Sequence, residues 1–137
     1  PSTMGTLMAS GLMQAGKVFK GRETMTLSDV GDFFQSWFDG VQQRGKAQLG
    51  EKTFLDGMAP ALVVLRGQGD PLSVAREALL AVQQGVQQTT TMVAKHGRAA
   101  IHGERSRAFV DPGAMVAQLL IQGYFNLIQT MYPANGQ

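Results

Sequence analysis

Apolar side chains recur every three or four residues along most of the chain, which is the spacing of one buried face of an α-helix. The clearest segment is residues 26–44, where the apolar positions are Val30, Phe33, Phe34, Trp37, Phe38 and Val41. Thr26 and Asp29 have the spacing of an N-terminal capping box, and Gly45 can end this helix. No stretch shows the sustained alternation of apolar and polar residues that marks a half-buried strand.

Two further helix starts are marked by the same pair of residues. Asp70-Pro71 and Asp111-Pro112 each combine a capping aspartate with proline at the first helical position, where the missing N–H is not needed. From the first pair we expect a long helix that passes through Met92 and stops at Gly97. From the second pair we expect a helix that runs towards Pro133.

Two more segments with helical spacing complete the pattern. Residues 5–20 predict an apolar helix, and another helix starts near Thr53 and contains Pro60, which should kink it or leave it short. The sequence therefore predicts one all-α domain over residues 1–137, built as an antiparallel bundle of five helices.

The composition narrows the class of protein. Hydrophobic residues make up 44% and charged residues 16%, as in a folded globular chain. The absence of cysteine excludes disulfides and thiolate metal sites. A net charge of +2 does not favour a general nucleic-acid surface, and no apolar run is long enough for a membrane-spanning helix. We therefore expect a cytoplasmic protein that binds neither nucleic acid nor membrane.

Two familiar site patterns carry little weight here. Gly11, Gly16 and Lys17 have the spacing of a phosphate-binding P-loop, but valine follows where that loop needs Ser or Thr. The stretch before them also reads as helix, whereas a P-loop follows a strand. His96 and His102 have no paired ligand at metal-site spacing, so we expect surface histidines and no metal site.

The connection over residues 97–110 is long enough to suggest a function. Its basic side chains suit phosphate, because guanidinium donors match phosphate oxygens, and the helix that follows offers backbone amides to an anion. A solvated loop followed by an ordinary helix cap explains the same residues, so both interpretations stay open. The basic residues, opposed only by Glu104, are Lys95, Arg98, Arg105 and Arg107.

Two signatures give a closer resemblance. Residues 44–47 (Arg-Gly-Lys-Ala) and 50–56 (Gly-Glu-Lys-Thr-Phe-Leu-Asp) resemble the first signature of the nucleotide-binding L subunit of bacterial dihydroxyacetone kinase. Residues 97–106 and the Asp-Pro-Gly-Ala of residues 111–114 resemble the second, with matching spacing between the two. The resemblance covers essentially the whole chain. It implies a closed barrel of eight antiparallel helices that binds ADP or ATP with Mg2+ at one rim.

The resemblance also implies roles for individual residues. Arg98 would contact phosphate and is the candidate catalytic residue, while Gly45 would let the backbone approach the nucleotide. Phe54 would pack near the base, although plain core packing explains it equally well, and Asp111 can close the pocket and cap its helix together. The cofactor-binding candidates are Gly45, Phe54, Arg98, Asp111, Pro112 and Gly113.

The activity that the resemblance implies needs partners. The phosphoryl group would pass to dihydroxyacetone held on a separate K subunit, and a phosphotransferase-system M subunit would rephosphorylate the bound ADP. A kinase with a different acceptor, and a non-enzymatic helical paralogue that acts in partner binding or regulation, are the alternatives.

The family's metal-binding aspartates would precede Pro1 in such a protein. We therefore expect these 137 residues to lack the metal loop and to bind Mg-ADP weakly or not at all on their own. An open barrel would also expose apolar faces, at Phe33, Trp37 and Leu119, and so favour a homo-oligomer.

Overall fold

The computed structural model describes residues 26–96 and 98–132, with the backbone alone for Arg98 and Ala99. Within these ranges the chain is helical and contains no strand, which confirms the predicted all-α fold. The predicted helix over residues 5–20 lies outside the described residues. The helices are α1 (Leu27–Gly45), α2 (Phe54–Leu65), α3 (Pro71–Gln88) and α4 (Pro112–Met131), and 3-10 segments span Thr89–Thr91 and Arg98–Ala108.

Each α-helix of the described ranges begins at a Thr or Asp side chain that accepts an N–H from its first turn. In α1, Asp29 N donates to Thr26 Oγ1 at 3.2 Å, and Thr26 N donates to Asp29 Oδ2 at 2.9 Å. Asp70 and Asp111 each accept the N–H three residues later, at 2.9 and 2.8 Å. Such a cap stabilises a helix by about 1 kcal/mol. The predicted helix starts are therefore confirmed at all of these residues.

The end of α1 is set by a lysine and not by the glycine. Gly45 is the last helical residue, and Lys46 after it adopts the left-handed conformation with φ 57°. Lys46 N donates to the Gln42 carbonyl at 2.7 Å, which closes the final turn. The helix therefore ends at Gly45, and the left-handed residue that caps it is Lys46, one position later than the glycine.

The C-terminal end of α3 corrects a prediction. The helix stops at Gln88, and Met92 is already extended with φ −109° and ψ 148°, so the expected helix through Met92 to Gly97 is wrong. Three threonines follow Gln88, and each hydroxyl donates to the carbonyl three residues earlier, at 2.6 to 2.7 Å. These hydroxyls compete with backbone N–H groups for the carbonyls that a continuing helix would use.

The core forms where α2 packs against α1, α3 and α4. Phe54, Leu55 and Met58 of α2 are completely buried. From α1, Trp37 stacks on Phe34 with ring centroids 6.5 Å apart. The remaining buried members of this cluster are Phe38, Val41, Ala47, Ala61, Leu62, Leu65, Ala78, Val82, Ala117 and Ile121. None of the helices in the described ranges is both long and apolar enough to cross a membrane.

The predicted apolar surface is present only in part. Leu119 on α4 is 68% exposed, as expected. Trp37 is 8% exposed, so the expectation that its face is open is wrong. Its ring is covered because Phe33 and Phe34 contact it, the first edge-on at a centroid distance of 5.9 Å.

The helix α2 continues through Pro60 and ends at Leu65. Proline has no N–H, so the Asp56 carbonyl lacks its usual helical donor at this turn. The backbone of α3 lies against this point: a Cβ on Gly85 would stand 2.7 Å from the Asp56 oxygen and 2.9 Å from the Gly57 oxygen. The absence of a side chain at residue 85 is therefore what lets the two helices approach so closely.

We expect Gly85→Ala to lower the free energy of unfolding by about 1 to 3 kcal/mol, as overpacking does in other cores. Alanine is the better helix former by about 1 kcal/mol, but its Cβ would collide with backbone oxygens that cannot rotate away. Gly123→Ala on α4 is the matched control, because no atom lies within 4 Å of a Cβ there. Urea unfolding should show Gly123→Ala neutral or stabilising; an equally stable Gly85→Ala would contradict the close contact.

Candidate functional site

One end of the bundle, which we call the rim, collects the ends of all four described α-helices. It comprises the C-terminal ends of α1 and α3, the N-terminal ends of α2 and α4, and the segments 46–53 and 89–110. Hydrogen bonds join these segments across long stretches of sequence. Asp111 N donates to Thr89 Oγ1 at 3.0 Å, Ala94 N donates to Ser106 Oγ at 2.9 Å, and Lys95 N donates to the Glu51 carbonyl at 3.4 Å.

The start of α2 is organised by Asp56. Its Oδ2 accepts the Thr53 N–H at 2.9 Å and its Oδ1 accepts the Gly50 N–H at 2.6 Å. Gly50 has φ 91°, a conformation that favours glycine, so the chain can turn back towards the helix start. The Gly-Glu-Lys-Thr segment is thereby folded onto the first turn of α2.

Lys52 is the feature of the rim that the sequence did not predict. Its side chain is 2% exposed, although it lies in a polar, glycine-bearing segment. Its Nζ donates to the main-chain carbonyls of Thr89 and Phe109. Burial lowers the pKa of Lys52; the nearby Asp111 carboxylate raises it in part, and Arg107 lowers it further.

Asp111 is buried at the same place. Its Oδ2 accepts the Ala114 N–H at 2.8 Å, so its capping role is present in the structure. Burial raises the pKa of Asp111, while the Ala114 amide and the Lys52 ammonium act in the opposite direction. The sequence suggested that the amides at this helix start could bind an anion. The Ala114 amide is not free to do so, because its N–H already donates to the Asp111 carboxylate.

Residues 98–108 form 3-10 turns rather than an open loop. The turns are interrupted at Gly103, which has φ 54° and ψ −129°. Ser106 is buried and donates to the Gly103 carbonyl at 2.6 Å, which holds the interruption in place. Arg107 donates to Glu104 Oε2 at 2.8 Å and to the Thr91 carbonyl, so one of the candidate phosphate-binding arginines already has protein partners.

The sequence-predicted site residues fall on this rim to different degrees. Phe54 is the first residue of α2 and is completely buried in the core. Pro112 and Gly113 open α4, and a Cβ on Gly57 would stand 3.0 Å from Ala114, so the first turns of α2 and α4 touch. Gly45 lies at the end of α1 and reaches the others through the segment 46–53.

Arg98 begins the second 3-10 segment, which places its backbone at the rim. Its side chain lies outside the described residues. Its contact with phosphate therefore stays a prediction, as do the nucleotide contacts of the other candidates.

Charge at the rim is mainly positive. Arg66 and Arg76 lie on other parts of the bundle. The acidic side chains of the rim mostly accept hydrogen bonds from other residues of the rim. Among the residues that the structure describes, no three His, Cys, Asp or Glu side chains are grouped to hold a metal ion. The rim's basic residues are Arg44, Lys46, Lys52, Lys95, Arg98, Arg105 and Arg107.

Comparison with known proteins identifies close relatives. A DAK2 domain matches residues 1–126. The ADP-binding subunit DhaL of PEP-dependent dihydroxyacetone kinase from Escherichia coli K12 is 34% identical over 122 residues, which are 86% of this chain and 58% of that protein. The corresponding subunit of PEP-dependent dihydroxyacetone kinase 2 from Listeria innocua is 32% identical over 120 residues, 85% of this chain and 56% of that protein.

A longer relative is also similar. The L-erythrulose 1-kinase of Mycolicibacterium smegmatis is 32% identical over 126 residues, 88% of this chain and 21% of that protein. The chain therefore spans little more than half the length of the two DhaL subunits and a fifth of this kinase. With a DAK2 match over nearly its whole length and an all-helical fold, the chain belongs to the DAK2-domain family.

Proposed function

We propose that this chain is the adenine-nucleotide-binding part of a dihydroxyacetone-type kinase. Two of its relatives are named as ADP-binding subunits of dihydroxyacetone kinase. The proposal is supported above all by the contact between the first turns of α2 and α4. That contact joins the segments 50–56 and 111–114, which are far apart in sequence, at the positively charged end of the bundle.

Each candidate residue then has a distinct task. Arg98 would bind the terminal phosphates, and Gly45 would allow the backbone to approach the nucleotide. Phe54, being completely buried, would support the base from the core side. Asp111, Pro112 and Gly113 would close the pocket at the first turn of α4. We expect Mg2+ to accompany the nucleotide, with its protein ligands outside the described residues.

Phosphoryl transfer of this kind depends on positioning and charge neutralisation. The acceptor hydroxyl oxygen forms a new bond to the terminal phosphorus of ATP while the bond to the bridging oxygen breaks, which leaves ADP. A partner K subunit would hold dihydroxyacetone and take the hydroxyl proton. An M subunit of the phosphotransferase system would rephosphorylate the ADP, unless free ATP replaces it.

The acceptor has a second candidate. One relative is named as an L-erythrulose 1-kinase, and L-erythrulose shares with dihydroxyacetone a terminal hydroxymethyl group beside a ketone. A short-chain ketose is therefore the class of acceptor that we propose, and the partner that binds it would select the individual sugar.

We expect calorimetry on the protein to show that ADP binds at least about tenfold more tightly than adenosine, because the rim offers cationic groups to the two phosphates. Raising the salt concentration should weaken ADP binding more than adenosine binding. Equal affinities for the two compounds would contradict a nucleotide site at this rim.

We expect Arg98→Ala to lower phosphoryl transfer to dihydroxyacetone about a hundred- to a thousandfold, the loss seen when one transition-state donor is removed elsewhere. Stability should change by about 0.5 kcal/mol or less, because the proposal gives this side chain a role in binding phosphate and none in the core. Arg76→Ala is the matched control, since Arg76 is an exposed arginine on α3 away from the rim. Turnover with the partner subunit and thermal unfolding should be measured together; unchanged turnover would remove Arg98 from the site, and a large fall in melting temperature would make it structural.

A further inference from the structure

Lys52 joins parts of the rim that no other described side chain joins in one place. It lies immediately before Thr53, the N-cap of α2. Its ammonium group donates to Thr89, at the end of α3, and to Phe109, two residues before the N-cap of α4. The side chain therefore connects the start of one helix to the end of a second and the start of a third.

The two carbonyls explain why a cation occupies this position. Thr89 caps the C-terminal end of α3, where the helix dipole has its negative end, and its carbonyl also accepts the Met92 N–H at 3.1 Å. The Phe109 carbonyl belongs to the segment between the 3-10 turns and α4, outside regular helical hydrogen bonding. The Lys52 ammonium therefore adds a second donor to the Thr89 carbonyl and supplies one to the Phe109 carbonyl, whose burial without a donor would be unfavourable.

Direct contact between Lys52 and a phosphate is disfavoured by the same geometry. The side chain is 2% exposed, so little of it can be reached from outside. Two of its three N–H donors are already used by main-chain carbonyls. The nearby Asp111 carboxylate partly balances its charge, which reduces the attraction that an anion would feel.

We propose that Lys52 is a positioning residue, whose buried ammonium holds the Thr89 and Phe109 carbonyls and thereby fixes the first turn of α4 against α2. Resting on the proposed nucleotide function, this means that Lys52 controls nucleotide affinity through the placement of Asp111 and Gly113, without touching the ligand. The hydrogen bond from Asp111 N to Thr89 Oγ1 transmits the position of Thr89 directly to the helix cap.

The test compares Lys52→Met with Lys46→Met. Methionine keeps the length and apolar stem of lysine but removes the ammonium group. Lys46 has the same kind of left-handed backbone, with φ 57° against 65° for Lys52, and lies in the same segment, but its side chain is exposed. Loss of charge and backbone conformation are therefore matched, and only the buried hydrogen bonds differ.

Hydrogen exchange should be read at amides that do not depend on any ligand. In Lys52→Met we expect the Asp111 and Ala114 amides to exchange on the order of ten- to a hundredfold faster, the range for losing a hydrogen bond to a charged group. Amides in the middle of α3, such as Val82, should keep their protection, and Lys46→Met should leave all of these rates unchanged. ADP affinity should fall at least tenfold in Lys52→Met and by less in Lys46→Met, which removes only an exposed charge of the rim.

The outcomes separate the two proposals. Faster exchange at α4 with weaker ADP binding supports the positioning role. Weaker ADP binding with unchanged exchange would mean that Lys52 touches the nucleotide. Unchanged exchange with unchanged ADP binding would mean that Lys52 does not hold α4. Either result overturns the inference. If the wild-type protein binds ADP no more tightly than adenosine, the nucleotide function fails, while the exchange rates still decide whether Lys52 holds α4.

A conservative variant covers the case in which Lys52→Met unfolds. Lys52→Arg keeps the charge and several N–H donors, so we expect it to preserve most of the slow exchange at Asp111 and Ala114 and most of the ADP affinity. If the arginine variant folds but loses the slow exchange at Asp111 and Ala114 and also loses the ADP affinity, the cationic hydrogen bonds are not what positions α4. That result overturns the inference.

Discussion

The rim depends on one buried cation. An ammonium group without partners is strongly unfavourable in a protein interior, so the segments around Lys52 are constrained to supply oxygen atoms. The end of α3 and the approach to α4 each supply a main-chain carbonyl, and Asp111 supplies a nearby negative charge. The start of α2, the end of α3 and the approach to α4 therefore meet at that single group.

Helix ends reinforce the same arrangement. At the end of α3 a cation meets carbonyl oxygens, and at the starts of α2 and α4 carboxylates meet amide N–H groups. Each charge therefore lies at the helix end whose dipole favours it. Asp111 and Lys52 also lie close to each other, so their charges are partly balanced within the rim, while the exposed Arg105 gives it a positive surface.

The sequence predicted the elements well where local chemistry decides them. The caps at Thr26, Asp70 and Asp111 follow from side chains that accept the amide N–H three residues later, so a short window of sequence contains the whole interaction. The burial of Lys52 could not be predicted in this way, because its acceptors are 37 and 57 residues distant. The three threonines after Gln88 do indicate that α3 ends there, since consecutive β-branched hydroxyl residues disfavour a continuing helix. The spacing of apolar residues alone does not show this helix end.

The contact at Gly85 couples the packing of α3 on α2 to the structure of the rim. Any side chain at residue 85 would separate α3 from α2 at Asp56, the residue that also folds the Gly-Glu-Lys-Thr segment onto its helix. Pro60 of α2 lies at the same contact, and because it has no N–H it leaves the Asp56 carbonyl, which faces Gly85, without its helical donor. The requirement for glycine at residue 85 is therefore transmitted, through Asp56, to the segment that carries Lys52.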